Sequence, residues 1–215
     1  MENPQSWHGE GANQPWLETV DHITYVVRPD TIKKWGWWYI DALGGKLTLR
    51  SDDVDPKGKS SMMLWTIDFG KFSIALVAGI DREEKSHVTV FEETHGDRTV
   101  QHVAYRPREE RFEEFLEHTK KHGMKLQSAP FSREEGDYSV RQVFANPSHG
   151  ESNPGKVGFD EFEARAGEHS RTTFSHKTGT DLYRMAQALM NKDKRRPMLD
   201  WSFMPEGWEP PEVKS

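Results

Sequence analysis

The chain alternates between β-branched runs and helical stripes, and it does so twice in the same order. VDHITYVV is a β-branched run that closes at Arg28-Pro29, which predicts a strand ended by proline. Asp30 is placed to cap a helix running through Leu43. Ile32, Trp35, Tyr39 and Leu43 fall on one face of that helix, and Gly44-Gly45 stops it. KLTLRS, SMMLWTIDF and KFSIALVAG then predict three strands, the last two joined by a turn at Gly70-Lys71. From Thr99 the order returns. TVQHVAYRP predicts a strand ending in proline. Arg108 to Gly123 sets Phe112, Phe115, Leu116 and Thr119 on one helical face, and MKLQSAP, YSVRQVFANP and KVGFDEFEAR predict three more strands.

Two copies of strand–helix–three strands, spaced by about 80 residues, are too long for a solenoid unit and suit an internally duplicated domain. The expected fold class is α+β: two tandem βαβββ modules, at about 18–82 and 98–167, form an open eight-stranded barrel. A C-terminal helix follows at about 181–194, where Leu182, Met185, Ala186 and Leu189 make an apolar stripe. Residues 1–17 read as an arm, and 197–215 as a tail rich in Pro and Trp. DREEKSHVTVFEETHGD between the copies reads as a polar linker with a short helix, and Ser170 to Thr180 as a loop.

Composition narrows the function classes. A formal charge of -6, with basic residues gathered only at Lys192 to Arg196, argues against a phosphate-backbone binder. The absence of cysteine excludes disulfides, thiolate metal sites and cysteine nucleophiles. The N-terminus lacks the basic start and apolar run of a secretory signal, and no stretch approaches the roughly 18 apolar residues of a membrane span. A cytoplasmic protein without nucleic-acid or membrane partners is the expectation. The aromatic arm and the Trp-rich tail suggest a homodimer.

Chemistry enters with the duplication. His22 is the third residue of the first opening strand and His102 the fourth of the second, so a pseudo-twofold axis brings both to the cleft between modules. Any one of the 10 histidines alone is more often structural than a ligand; the matched placement singles out this pair. Glu161 interrupts an aromatic run in GFDEFEAR, with Glu163 on the same strand face as its competitor. Two imidazoles and one carboxylate with other positions open are the donor set of non-haem iron(II) oxygenases. The matching strand of the first copy offers no ligand near Ile74 and Ala75, which leaves room for substrate and oxygen.

VDHITYVV, KSHVTVFEETHGDRTVQHVAY, GMKLQSAP, RQVFANP and FDEFEAR, in that order, resemble the catalytic half of 4-hydroxyphenylpyruvate dioxygenase, in the vicinal oxygen chelate superfamily. The resemblance runs from about Val20 to Leu189. It implies iron(II) held by His22, His102 and Glu161, and oxidation of a small aromatic 2-oxo acid by molecular oxygen with decarboxylation. It also implies a substrate pocket with Gln142, Phe144 and Phe174. Gln101 matches the glutamine before the second ligand, although strand alternation points its side chain away from the metal face. The chain departs from the family in having one such domain rather than two. Val77 stands for a pocket asparagine, His87 for a glutamine and Gly179 for an aromatic residue, so the pocket is expected to be rebuilt. Other metalloenzymes of the superfamily stay open: an isomerase, a lyase, or a ring-cleaving extradiol dioxygenase using His87 with Tyr25 or Tyr105. So does a non-catalytic binder of small molecules.

Overall fold

Period-two burial identifies the strands and tells their faces apart. The computed structural model describes residues 15–135, 138–146, 157–166 and 175–190. Its strands are β1 (Leu17–Val26), β2 (Lys46–Ser51), β3 (Ser60–Asp68), β4 (Ser73–Asp81), β5 (Thr99–Pro107), β6 (Phe131–Glu135), β7 (Tyr138–Phe144) and β8 (Phe159–Ala166). They form one mixed sheet in the order β2-β3-β4-β1-β5-β8-β7-β6. The two opening strands β1 and β5 pair antiparallel at its centre, and each pairs in parallel with the last strand of its own module. The chain therefore builds the expected α+β half-barrel from two βαβββ units.

β4 is buried on both faces. Ala75 and Val77 join Val26, Met62 and Leu64 on the inner side, while Ile74, Leu76 and Ala78 pack outward against Ile32, Tyr39 and Trp65. In β8 the outward residues Phe162 and Ala164 meet Phe112, Phe115 and Leu116 of α3 (Phe112–Lys121). Its inward residues Glu161, Glu163 and Arg165 are buried and ionisable. The pairings Thr24↔Ala75 and Ala104↔Glu161 make Ala75 the counterpart of Glu161. One module thus lines its interior with small apolar groups where the other carries acids.

Several local expectations are corrected. The first helix, α1 (Ile32–Trp37), begins after Thr31, while Asp30 is exposed and pairs with Arg28 at 3.1 Å. It continues as a π-helical turn over Trp38–Ala42, which rotates the stripe so that Tyr39 is buried and Leu43 is exposed. MKLQSAP contributes only a bridge, Leu126↔Ala145; the edge strand β6 starts after Pro130 and pairs with β7 as a hairpin. The final helix α4 spans His176–Met190, so the end of the expected Ser170–Thr180 loop is helical. The linker holds a helix, α2 (His87–His95), capped by Ser86 Oγ accepting from Val88 N–H. Phe174, the tail and residues 1–14 of the arm lie outside the described residues.

α2 sits against β4 because Gly79 has no side chain. A Cβ at Gly79 would stand 2.1 Å from Thr89 Oγ1 and 2.7 Å from the Thr89 backbone nitrogen. Gly79→Ala is expected to lower stability by about 1–3 kcal/mol, the usual range for overpacking. Chemical denaturation with an unchanged m-value measures it.

Candidate metal centre

Two β-bulges prepare the site. The register between β1 and β5 runs Val20↔Tyr105 then His22↔Ala104, and Thr24↔His102 then Tyr25↔Val100. Asp21 and Gln101 are therefore extra residues, each immediately before a histidine. A bulge breaks strict alternation, so both members of each pair turn inward. Asp21 is 0% exposed and Gln101 4%. This corrects the expectation that Gln101 faces away: it lines the same cavity as His102.

Each bulge residue then holds its neighbour. His22 Nδ1 lies 3.1 Å from Asp21 Oδ1, and His102 Nδ1 lies 3.3 Å from Gln101 Oε1. With Nδ1–H committed to an oxygen on each ring, both Nε2 atoms turn their lone pairs to one point. Glu161 Oε2 is there, 3.5 Å from His22 Nε2 and 3.1 Å from His102 Nε2. Gln142 Nε2 donates to the other carboxylate oxygen, which fixes the plane of Glu161. Donors bonded at about 2.1 Å to one ion stand no more than about 4.2 Å apart, so these spacings fit a divalent metal.

The charges around this point have physical causes. Burial, the largest influence on His22, disfavours its charged form. The negative charge of Glu161 and the bond to Asp21 outweigh it and raise the ring to about 10. Burial likewise opposes ionisation of Glu161, but the positive charge on His22 outweighs it and holds the carboxyl at about 2. His102 is kept below its ordinary value by burial. Without metal, one proton on His22 is the cation among three converging acceptor atoms. Asp21 is held well below the usual carboxylate range despite its burial by Arg165, whose Nε donates at 3.0 Å. Arg106 Nε donates to the same Asp21 oxygen at 2.9 Å.

Glu163 belongs to this second layer. It reaches the opposite edge of His22, 3.6 Å from Nδ1, and pairs with Arg165. Asp21, His22 and Glu163 also have ligand atoms close enough for a metal. The buried Arg165 guanidinium already supplies positive charge to both acids of that group. Burial pushes Glu163 up to about 8. Arg165 closes the FDEFEAR motif, but nothing in the sequence pattern marked Asp21 as its partner or brought in Arg106, because the bulge that turns Asp21 inward breaks no compositional rule.

The triad opens on a partly open cavity between the modules, about 60 Å³ in volume. Of the residues expected there, Val77, His87, Gln142 and Phe144 all line it, as does Gly179 of α4. Phe159 stacks on His102 at 4.8 Å, and Phe144 meets both rings edge-on. Tyr25 and Tyr105 pack on the outer faces of their strands, with Tyr39 and Phe162 respectively.

No protein-family model matches the sequence, and no curated protein does. Among solved structures, a triply substituted 4-hydroxymandelate synthase from Streptomyces coelicolor superposes with a TM-score of 0.66 at 14% identity, over 83% of this chain. Methylmalonyl-CoA epimerase from Mycobacterium tuberculosis superposes at 0.49 with 18% identity, over 72% of this chain and 93% of its own. The synthase is a vicinal oxygen chelate protein. The chain has the vicinal oxygen chelate fold. It spans 56% of the length of the synthase, so the likeness covers one part of that enzyme. Among the described residues no helix is long and apolar enough to cross a membrane.

Three outcomes are expected of this centre. Metal must displace the His22 proton, so affinity for zinc(II) should rise by about tenfold per pH unit between about pH 7 and 9, with proton release on binding visible by calorimetry in two buffers. The same raised value stabilises the metal-free fold fully below the ring's ordinary 6.5, and that stability is lost as pH rises through about 10. Asp21→Asn, which keeps an acceptor but removes its charge, should weaken metal binding by about 10–100-fold. An unchanged affinity in a folded variant would show that Asp21 serves the fold alone.

Proposed function

We propose that the chain is a mononuclear non-haem iron(II) dioxygenase that oxidises a small aromatic 2-oxo acid with molecular oxygen and loss of carbon dioxide. One observation carries this reading. His22 Nε2, His102 Nε2 and Glu161 Oε2 converge at 3.1–3.5 Å with both Nδ1–H groups already committed. This donor set leaves one side open to the cavity, as iron(II) oxygenases require. Bound there, iron(II) would supply the activation of oxygen and the chelation of a ligand with two adjacent oxygens.

The chain's own residues do the rest. Asp21 and Gln101 keep both rings in the tautomer that presents Nε2. Gln142 holds Glu161 in place, while its own Oε1 and the Nε2 of Gln101 are buried with no hydrogen-bond partner among the described residues. One is an acceptor and the other a donor, and polar groups of a bound acid satisfy both. The rings of Phe144 and Phe159 offer faces and edges to an aryl group and exclude water. His87 and Val77 shape the other wall. The neighbour named for making 4-hydroxymandelate, an aromatic acid, agrees with this ligand class.

A ring-cleaving extradiol reaction is less well supported. His87 is held at about 4 by burial, a poor base near neutrality, and Tyr25 and Tyr105 face outward.

Anaerobic loading with iron(II) followed by aromatic 2-oxo acids is expected to give a visible charge-transfer absorption, and admission of air to release carbon dioxide. His102→Ala and Glu161→Ala should abolish metal binding, while Glu163→Ala should retain it. A response confined to catechols would overturn the keto-acid reading, and metal binding that survives Glu161→Ala would remove that carboxylate from the triad.

A further inference from the structure

One polar atom in the cavity is not explained by the triad. His87 opens α2, is 5% exposed, and lines the cavity beside Met62, Leu64, Val77 and Leu182. Its backbone N–H donates to Gln187 Oε1 at 2.8 Å, and its Nδ1 lies 3.0 Å from the same oxygen. At the other end of that amide, Gln187 Nε2 donates to the Lys85 carbonyl at 2.9 Å. A main-chain donor at one end and a main-chain acceptor at the other leave the amide a single orientation.

The oxygen beside His87 can only accept, so Nδ1 must carry the ring's proton. Nε2 then holds a bare lone pair, and it makes no hydrogen bond to any described residue. Tyr183, whose hydroxyl lies 2.8 Å from Ser60 Oγ and 3.3 Å from Ser86 Oγ, lies against the His87 ring at 5.1 Å and holds it in place. The ring is neutral at ordinary pH because of its burial, so it accepts a hydrogen bond without taking the proton.

We propose that His87 Nε2, made acceptor-only by Gln187, selects ligands that carry a free O–H or N–H apart from their chelating oxygens. This deepens the functional reading above, since it rests on this cavity being the substrate pocket, and it narrows the substrate to a small apolar or aromatic molecule with one such donor. Gln187 is a positioning residue: it acts on the ligand only through the tautomer of His87. An isostere without the donor leaves a buried lone pair unpaired, which costs about 10–100-fold in affinity.

The test uses the full chain without added metal and two probes of nearly equal shape, phenol and fluorobenzene, so that it does not depend on keto-acid chemistry. Nitrogen-15 spectra of histidine-labelled protein should show His87 protonated at Nδ1 and bare at Nε2, and phenol should shift the bare nitrogen. Phenol should bind about tenfold or more tightly than fluorobenzene. In Gln187→Leu the ring should populate both tautomers and the preference should fall to about twofold or less, and His87→Phe should remove the preference. A proton on Nε2 in the unmodified protein, equal or absent binding of the probes, or a preference that survives His87→Phe would each overturn the proposal. Failure of 2-oxo acids to bind the iron-loaded protein would count against the dioxygenase reading and leave this result standing.

Discussion

Three lone pairs aimed at one point among buried side chains cannot coexist without positive charge between them. That constraint governs the centre of this molecule. Each imidazole has its other nitrogen tied to an oxygen on its own strand, so neither ring can relieve the crowding by turning over. Either a proton or a metal must sit among them. The buried acids behind His22 are tolerated because two guanidinium groups close the network; removing a member would leave an uncompensated charge in low dielectric.

The duplication supplies symmetry, and the function depends on where the symmetry fails. β1 and β5 contribute equivalent histidines, each with a bulge residue before it, yet one ring is backed by a carboxylate and the other by a neutral amide. β8 and β4 occupy equivalent places beside them, yet only β8 points acids inward. A symmetric site would carry four ligands and leave little room on a metal. The asymmetric one has three converging atoms and a cavity on the remaining side.

Much of this was legible in the sequence because the patterns involved are local. The period-two runs that end at Pro29 and Pro107 mark equivalent strands, and they bring His22 and His102 to matched positions. Glu161 stood out as a carboxylate in an aromatic run. What escaped depended on features that local periodicity does not encode. Gln101 was expected to face outward because alternation assumes an unbroken ladder, and a single extra residue reverses that. The π-helical turn after Trp37 moved Leu43 from the packed face to solvent in the same way. Asp21 finds Arg165 across 144 residues and His87 finds Gln187 across 100, distances over which only the folded chain can report a partner.

The unequal linings of the two modules separate reactivity from shape. Met62 and Leu64 of β3 and Ala75 and Val77 of β4 touch the cavity but hold none of the converging atoms, and no charge depends on them. Exchanges among apolar residues of different bulk along these two strands can recut one wall of the chamber while the opposite wall stays as it is. A lineage that keeps β1, β5 and β8 fixed can therefore try new guests by point changes on β3 and β4, without ever passing through a form that has lost its acids and imidazoles.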